Sequence, residues 1–174
     1  MEKQGIVDRS KLLAINGRSR KPQIELAKKF GIVHYPSPAG GCLLTCKEFA
    51  KKLRDLFDHK KKISMKDVAL LKIGRHFRFN GNKIIVGRDE EENIQLIAFK
   101  TKKDYYFEVP KIGSPTTILK GSKTKKAIEA AAKLTAFYSD SKKINIEVKY
   151  GKEKTDKSIL ILKPKINQVK DLRV

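Results

Sequence analysis

Apolar positions repeat at helical spacing through the first part of the chain and alternate through most of the rest. Asp8-Arg9-Ser10 is placed to cap a short helix through Leu12, Leu13 and Ile15, ended by Asn16-Gly17. Pro22 then opens QIELAKKF, a helix with Ile24, Leu26, Ala27 and Phe30 on its apolar face and Gly31 as its stop. A turn-rich loop, YPSPAGG, leads to Leu43 and Leu44, which re-enter the core. Thr45 is the expected N-cap of the next helix, with Glu48 at the capping-box position. That helix runs to about Phe57 and carries Phe49, Leu53, Leu56 and Phe57 on one face. After the polar run DHKKK, Ser64 caps a short helix over residues 65–71.

Beyond Gly74 the period becomes two. RHFRF and KIIVG flank Asn80-Gly81-Asn82, a hairpin signal. A helix is expected from about residue 90 to 100, with Glu90, Glu91 and Glu92 in the turn where its dipole favours acids. DYYFEV and PTTILK read as strands joined by PKIGS, and Ser122 or Thr124 caps an Ala-rich helix ending near Tyr138. INIEVKY and SILILK form a last hairpin around GKEKTD, stopped by Pro164. The fold class that follows is α+β. N-terminal short helices precede a mainly antiparallel sheet of hairpins packed with two or three helices. The expected domains are a helical and Gly/Pro-loop segment over 1–73 and a sheet domain over 74–174.

Charge adds the functional class. The 174 residues carry a formal net charge of +21, spread along the chain rather than held in a tail. A polyanion is the default partner, bound mainly by lysine point charges. No run approaches the roughly 20 apolar residues of a membrane span, and the N-terminus has no apolar signal core, so a cytoplasmic protein is expected. No helix-turn-helix or finger signature favours DNA. No cofactor is expected. Cys42 and Cys46 cannot complete a zinc site alone, and the spacing of His34 and His59 matches no standard finger, so no metal is expected either.

Several residues are candidates for phosphate contact. Arg88 stands between an apolar strand and a helix start, where amides and a guanidinium can hold phosphate. The alternative is a salt bridge to Glu91 or Glu92. Arg18, Arg20 and Lys21 cluster in one loop, and Lys111 lies in PKIGS. In the hairpin, Arg75 shares a face with Phe77, whereas His76 and Arg78 share the other. Among Tyr105, Tyr106 and Phe107, Tyr106 is the better choice for an exposed base-stacking ring, the other two for core.

From Asn80 onward the motifs VGRDEEEN, DYYFEV, IGSPTTIL and AAAKLTAFYSD, closed by INIEVKY and SILILKPK, resemble the NFACT-R family of RNA-binding domains. That resemblance implies RNA binding. Members of the ribosome-rescue type usually carry His at the positions of Glu108 and Pro115. GRSRKPQIELAKKFGI followed by YPSPAGGCLLT is similar to a segment of certain tRNA thiouridylases. Those enzymes place an ATP-pyrophosphatase catalytic domain ahead of an NFACT-R-like module. This chain has no SGGxDS-type phosphate loop, so it is similar to the RNA-binding part alone, as a fragment or a separate subunit. The resemblance implies tRNA as ligand and a thiouridylase domain or subunit as partner. Cys42 is then a candidate catalytic sulfur carrier. It would accept a persulfide or share an iron–sulfur cluster with that domain; the plain alternative is a small buried hydrophobe. A ribosome-associated NFACT-type module is the further alternative.

Overall fold

The structure is a computed structural model, and it describes residues 2–17, 19–34 and 42–174. Arg18 and the loop 35–41 lie outside the described residues. The chain forms two compact units, Met1–Cys42 and Leu43–Val174.

In the first unit the expected helix through Leu12, Leu13 and Ile15 is absent. A single 3-10 turn, Arg9–Lys11, stands there, and Asp8 accepts hydrogen bonds from the amide and hydroxyl of Ser10. One turn fixes several dihedrals for few bonds, and Leu12 and Leu13, both exposed, have no packing to offset that cost. Helix α1, Lys21–Lys29, is as expected, with Pro22 in its first turn. Its end is a Schellman motif, the Gly31 amide donating to Lys28 O and the Ile32 amide to Ala27 O. Phe30, however, is exposed. No described residue of this unit is buried.

The second unit contains α2 (Lys47–His59), α3 (Met65–Leu70), β1 (Arg75–Phe79), β2 (Asn82–Val86), α4 (Glu90–Phe99), β3 (Tyr105–Glu108), β4 (Thr117–Lys120), α5 (Lys125–Phe137), β5 (Asn145–Gly151), β6 (Lys157–Leu162) and α6 (Ile166–Lys170). The strands make one antiparallel sheet in the order β1-β2-β4-β3-β5-β6, and the α+β expectation holds. The β1–β2 turn is the Asn80-Gly81 pair, both with positive φ (45° and 76°), the conformation that matches strand twist in a two-residue hairpin.

Helix α5 lies on one face. Its Ala127, Ala130, Ala131 and Leu134 pack with Phe77, Ile84, Val86, Phe107, Leu119 and Val148. The small alanines let the helix approach the sheet closely. Leu70, Ile73 and Leu96, from the α3 and α4 region, cover Ile85 and Ile118 on the other face. Strands β2 and β4 are therefore covered on both sides, which explains their unbroken apolar runs. Leu160 and Leu162 of β6 remain exposed.

Sequence patterning missed four features. Leu43 and Leu44, expected to re-enter the core, are exposed. Residue Cys46, not Thr45, stands at the N-cap position of α2; it makes no side-chain bond to the helix backbone, and its thiol donates to the Glu48 carboxylate at 3.2 Å. Phe57 points outward, while Lys52 is buried, its ammonium donating to Leu71 O and Gly74 O at 3.2 and 3.0 Å. Helix α6 returns the C-terminus to the free edge of β1. There Arg78 N bonds Leu172 O at 2.8 Å and Val174 N bonds His76 O at 3.1 Å, shielding an otherwise open strand edge.

Candidate nucleic-acid interface

The open end of the β1–β2 hairpin, the β3–β4 turn and the end of α5 meet at one end of the sheet. Arg75 pairs with Val86, Val86 with Thr117, and Thr117 with Phe107, which fixes this arrangement. Two arginines brace the opening of the hairpin reciprocally. Arg75 Nη1 donates to Gly87 O at 3.1 Å, and Arg88 Nη2 donates to Gly74 O at 3.2 Å. The Arg75 guanidinium also lies 4.6 Å over the Tyr138 ring. Lys111 projects from the β3–β4 turn at the same end, exposed and with φ of 63°. That turn is closed by Val109 N donating to Ser114 Oγ at 2.9 Å.

Arg88 also donates to Glu92 Oε1 at 3.0 Å, and its own amide donates to Glu92 Oε2 at 2.9 Å. The Asp89 side chain caps α4 by accepting from Glu92 N. Carboxylates of the protein thus occupy the first turn of α4, and the salt bridge left open by the sequence is present. With 46% of its side chain exposed, Arg88 still offers an outer guanidinium edge, held rigidly at the rim.

The remaining candidates do not gather there. Arg78 faces α2 and makes a two-point contact with Asp55, Nε to Oδ1 at 2.7 Å and Nη2 to Oδ2 at 3.1 Å; Lys83 bonds the same carboxylate. Burial raises the Asp55 carboxyl, but these two cations outweigh it and hold the group below its usual range. Arg20 and Lys21 are exposed in the first unit. Cys42 is exposed rather than a small buried residue, as is Cys46. Among the described residues, no group of three or more His, Cys, Asp or Glu could hold a metal ion, and no helix is long and apolar enough to cross a membrane.

A second basic feature occupies the opposite end of the sheet. The β5–β6 turn folds back over Gly151, where a Cβ would sit 1.7 Å from Lys154 O. The turn is pinned by Thr155 Oγ1 donating to Glu108 at 2.8 Å and by Lys100 donating to Lys152 O. The Tyr106 hydroxyl reaches Glu153 O at 3.5 Å, the limit of a hydrogen bond. Tyr106 is half-buried and braces this turn, whereas Tyr105 lines the cavity the turn encloses. The volume is about 510 Å³, with Lys102, Lys152, Lys154 and Lys157 around it. Lys123 and Lys157 stand 5.6 and 5.8 Å from the Tyr105 centroid. Burial, and then Lys120 and Lys152, push the Lys123 ammonium below the usual lysine range against the pull of Asp104. The available signal was the aromatic pair set between KTKKD and GKEKTDK.

The family model for the NFACT protein RNA binding domain matches residues 74–171. The chain belongs to this family. It therefore carries an RNA-binding domain, and that domain contains both basic ends of the sheet. The NFACT domain here owes its V-G-R and E-N residues to packing. A Cβ on Gly87 would meet Asn93 Oδ1 at 2.1 Å, and that oxygen accepts from Thr116 N at 2.8 Å, tying α4 to the start of β4. The I-G-S and Y-S-D residues are joined in the same way, Asp140 N donating to Gly113 O at 2.9 Å.

Eight chains of solved structure match. Among them is the C-terminal part of the fibronectin/fibrinogen-binding protein from Streptococcus suis, 15% identical with a TM-score of 0.53. The match covers 88% of this chain and 72% of that one, and it establishes likeness of fold. No curated protein matches significantly.

Proposed function

We propose that this NFACT domain holds structured RNA, tRNA first, and presents it to a uridine-thiolating enzyme in the cytoplasm. The observation that carries the RNA-holding part is the rigid rim of Arg75, Arg88 and Lys111 at one end of a sheet within the family's matched region. Guanidiniums fixed by backbone carbonyls can hold a folded RNA backbone in a set orientation, and exposed lysines add salt-dependent affinity. The thiolation context rests on the likeness of residues 17–45 to tRNA thiouridylases. In this reading residues 1–73 form the segment that meets the enzyme, and its basic run 18–21, with exposed Arg20 and Lys21, adds further contacts to RNA phosphates. The exposed Cys42 keeps a sulfur-relay role within the same proposal. Its alkylation would abolish relay and leave RNA binding intact.

A second reading, a ribosome-associated NFACT-type module, is favoured by the family match itself. Sedimentation of the protein with tRNA and with ribosomal subunits at equal RNA mass separates the two. Preference for free tRNA supports the presenting role. Co-migration with subunits in the presence of excess tRNA would establish the ribosomal one.

A further inference from the structure

We infer that the cavity around Tyr105 accepts one unpaired nucleotide of RNA, its base against the tyrosine ring and the flanking phosphates against Lys102, Lys123, Lys152 and Lys157. This deepens the RNA-holding proposal and rests on it. Three observations support the assignment. The cavity is concave, about 510 Å³, which admits a nucleotide but not a stacked base pair within a duplex. Its wall includes a half-buried aromatic ring carried by β3 and supported by Tyr150 at 5.8 Å between centroids, so the ring is held in place before any ligand arrives. Its lining has four lysines against two carboxylates, Glu153 and Asp156. Lys123 reaches the ring from outside that lining, fixed by bonds to Leu119 O and Gly121 O, both at 2.9 Å.

The chemistry selects this ligand class. An inorganic anion would use the lysines but not the ring. A duplex would present phosphates but keep its base faces covered. A single-stranded nucleotide uses both: the Lys157 ammonium now over the ring moves outward to its phosphates, while Lys123 stays on its carbonyl anchors beside them. The pocket lies at the sheet end opposite Arg75 and Arg88, so an RNA with a folded body and an unpaired end could engage both.

The test is titration of a single-stranded RNA tetranucleotide, a nucleoside monophosphate, duplex RNA and bulk tRNA against the intact chain, Tyr105→Leu and Tyr105→Phe. The expected result is tetranucleotide binding that falls about 5- to 100-fold in Tyr105→Leu, is retained in Tyr105→Phe, and leaves duplex affinity unchanged. Binding of the monophosphate as tight as that of the tetranucleotide would overturn the assignment to RNA in favour of a free nucleotide. Because Tyr105 packs on Tyr150, Lys157→Ala serves as a variant that leaves the core alone. It should lower the salt slope of tetranucleotide binding by about 0.7. Equal tetranucleotide affinity in the intact chain and Tyr105→Leu, or an unchanged slope in Lys157→Ala, overturns the site. A Tyr105-dependent tetranucleotide site in a protein without preference for tRNA would sustain the site and sink the tRNA proposal.

Discussion

Asp55 is the charge that makes the α2 face of the sheet possible, and Asp55→Ala should be among the most damaging single changes in the fold. Its carboxylate meets Arg78 at two points and Lys83 at a third, and the three side chains are only 10%, 20% and 12% exposed. Removing the acid leaves two cations facing each other with little water. Breaking a buried ion pair in this way costs about 3–5 kcal/mol. Against a total stability of roughly 5–15 kcal/mol, that is a large fraction. The melting temperature should fall by about 6–20 °C in a chain of this size. The assay is urea unfolding at pH 7 followed by circular dichroism, with the slope m unchanged if the compactness of both states is kept. Lys60→Ala is the comparison. Its pair with Asp67, at 2.6 Å, is 46% and 21% exposed, and its loss should cost less than about 1 kcal/mol. Adding Lys83→Met to Asp55→Ala should recover part of the loss by removing one uncompensated cation. An Asp55→Ala cost below about 1 kcal/mol, equal to that of Lys60→Ala, would refute the reasoning.

Burial, then Lys83 and Lys52, lower His76 to about 3, so the fold holds it neutral while the unfolded chain titrates near 6.5. The unfolded state binds more protons between those values, and stability should fall by up to about 4–5 kcal/mol as pH drops through that window. His76→Phe should flatten the slope between pH 6.5 and 4.5, as read by urea midpoints; an unchanged slope there contradicts the assignment. Lys52 is lowered to about 8, chiefly by burial and then by Arg88 and Lys83, against 10.5 when unfolded. Its sign gives stability that rises between pH 8 and 10.5, by up to about 3 kcal/mol. Lys52→Met should reduce that rise, to which Lys83 and Lys123, also held below the usual lysine range, contribute; an undiminished rise would assign it elsewhere. Gly87→Ala should cost about 1–3 kcal/mol by driving Asn93 off the Thr116 amide, measured by thermal melts. An unshifted melt would mean the Asn93 contact is dispensable.

The elements legible in the sequence were those whose signals are local. The Asn80-Gly81 turn, the Ser64 cap of α3 and the Thr124 cap of α5 each depend on residues within a few positions; the reciprocal bond from Asp67 to Ser64 is shown by the structure. Alternation along RHFRF correctly separated Arg75 from Arg78, since β1 puts them on opposite faces. What escaped was set by tertiary packing. Lysine in an amphipathic helix reads as solvated, and only the carbonyls of Leu71 and Gly74, about 20 positions away, make burial of Lys52 tolerable. Arg78 reads as a ligand-binding cation because Asp55 is 23 positions away. Helix α6 is too short to show a period, and it depends on docking beside β1. Tyr105 reads as core because the other wall of its cavity, the β5–β6 turn, is supplied by residues 151–157, far along the chain.

The measurement that bears most directly on the functional account is a competition titration. Labelled bulk tRNA bound to the protein is challenged with unlabelled duplex DNA of equal length, at two salt concentrations, for the intact chain and Arg88→Ala. Circular dichroism confirms that both are folded. The account predicts tRNA binding that resists the DNA competitor and weakens in Arg88→Ala. Equal competition by the two polymers, lost together at moderate salt and indifferent to Arg88, would mean that net charge alone binds any polyanion and would contradict it.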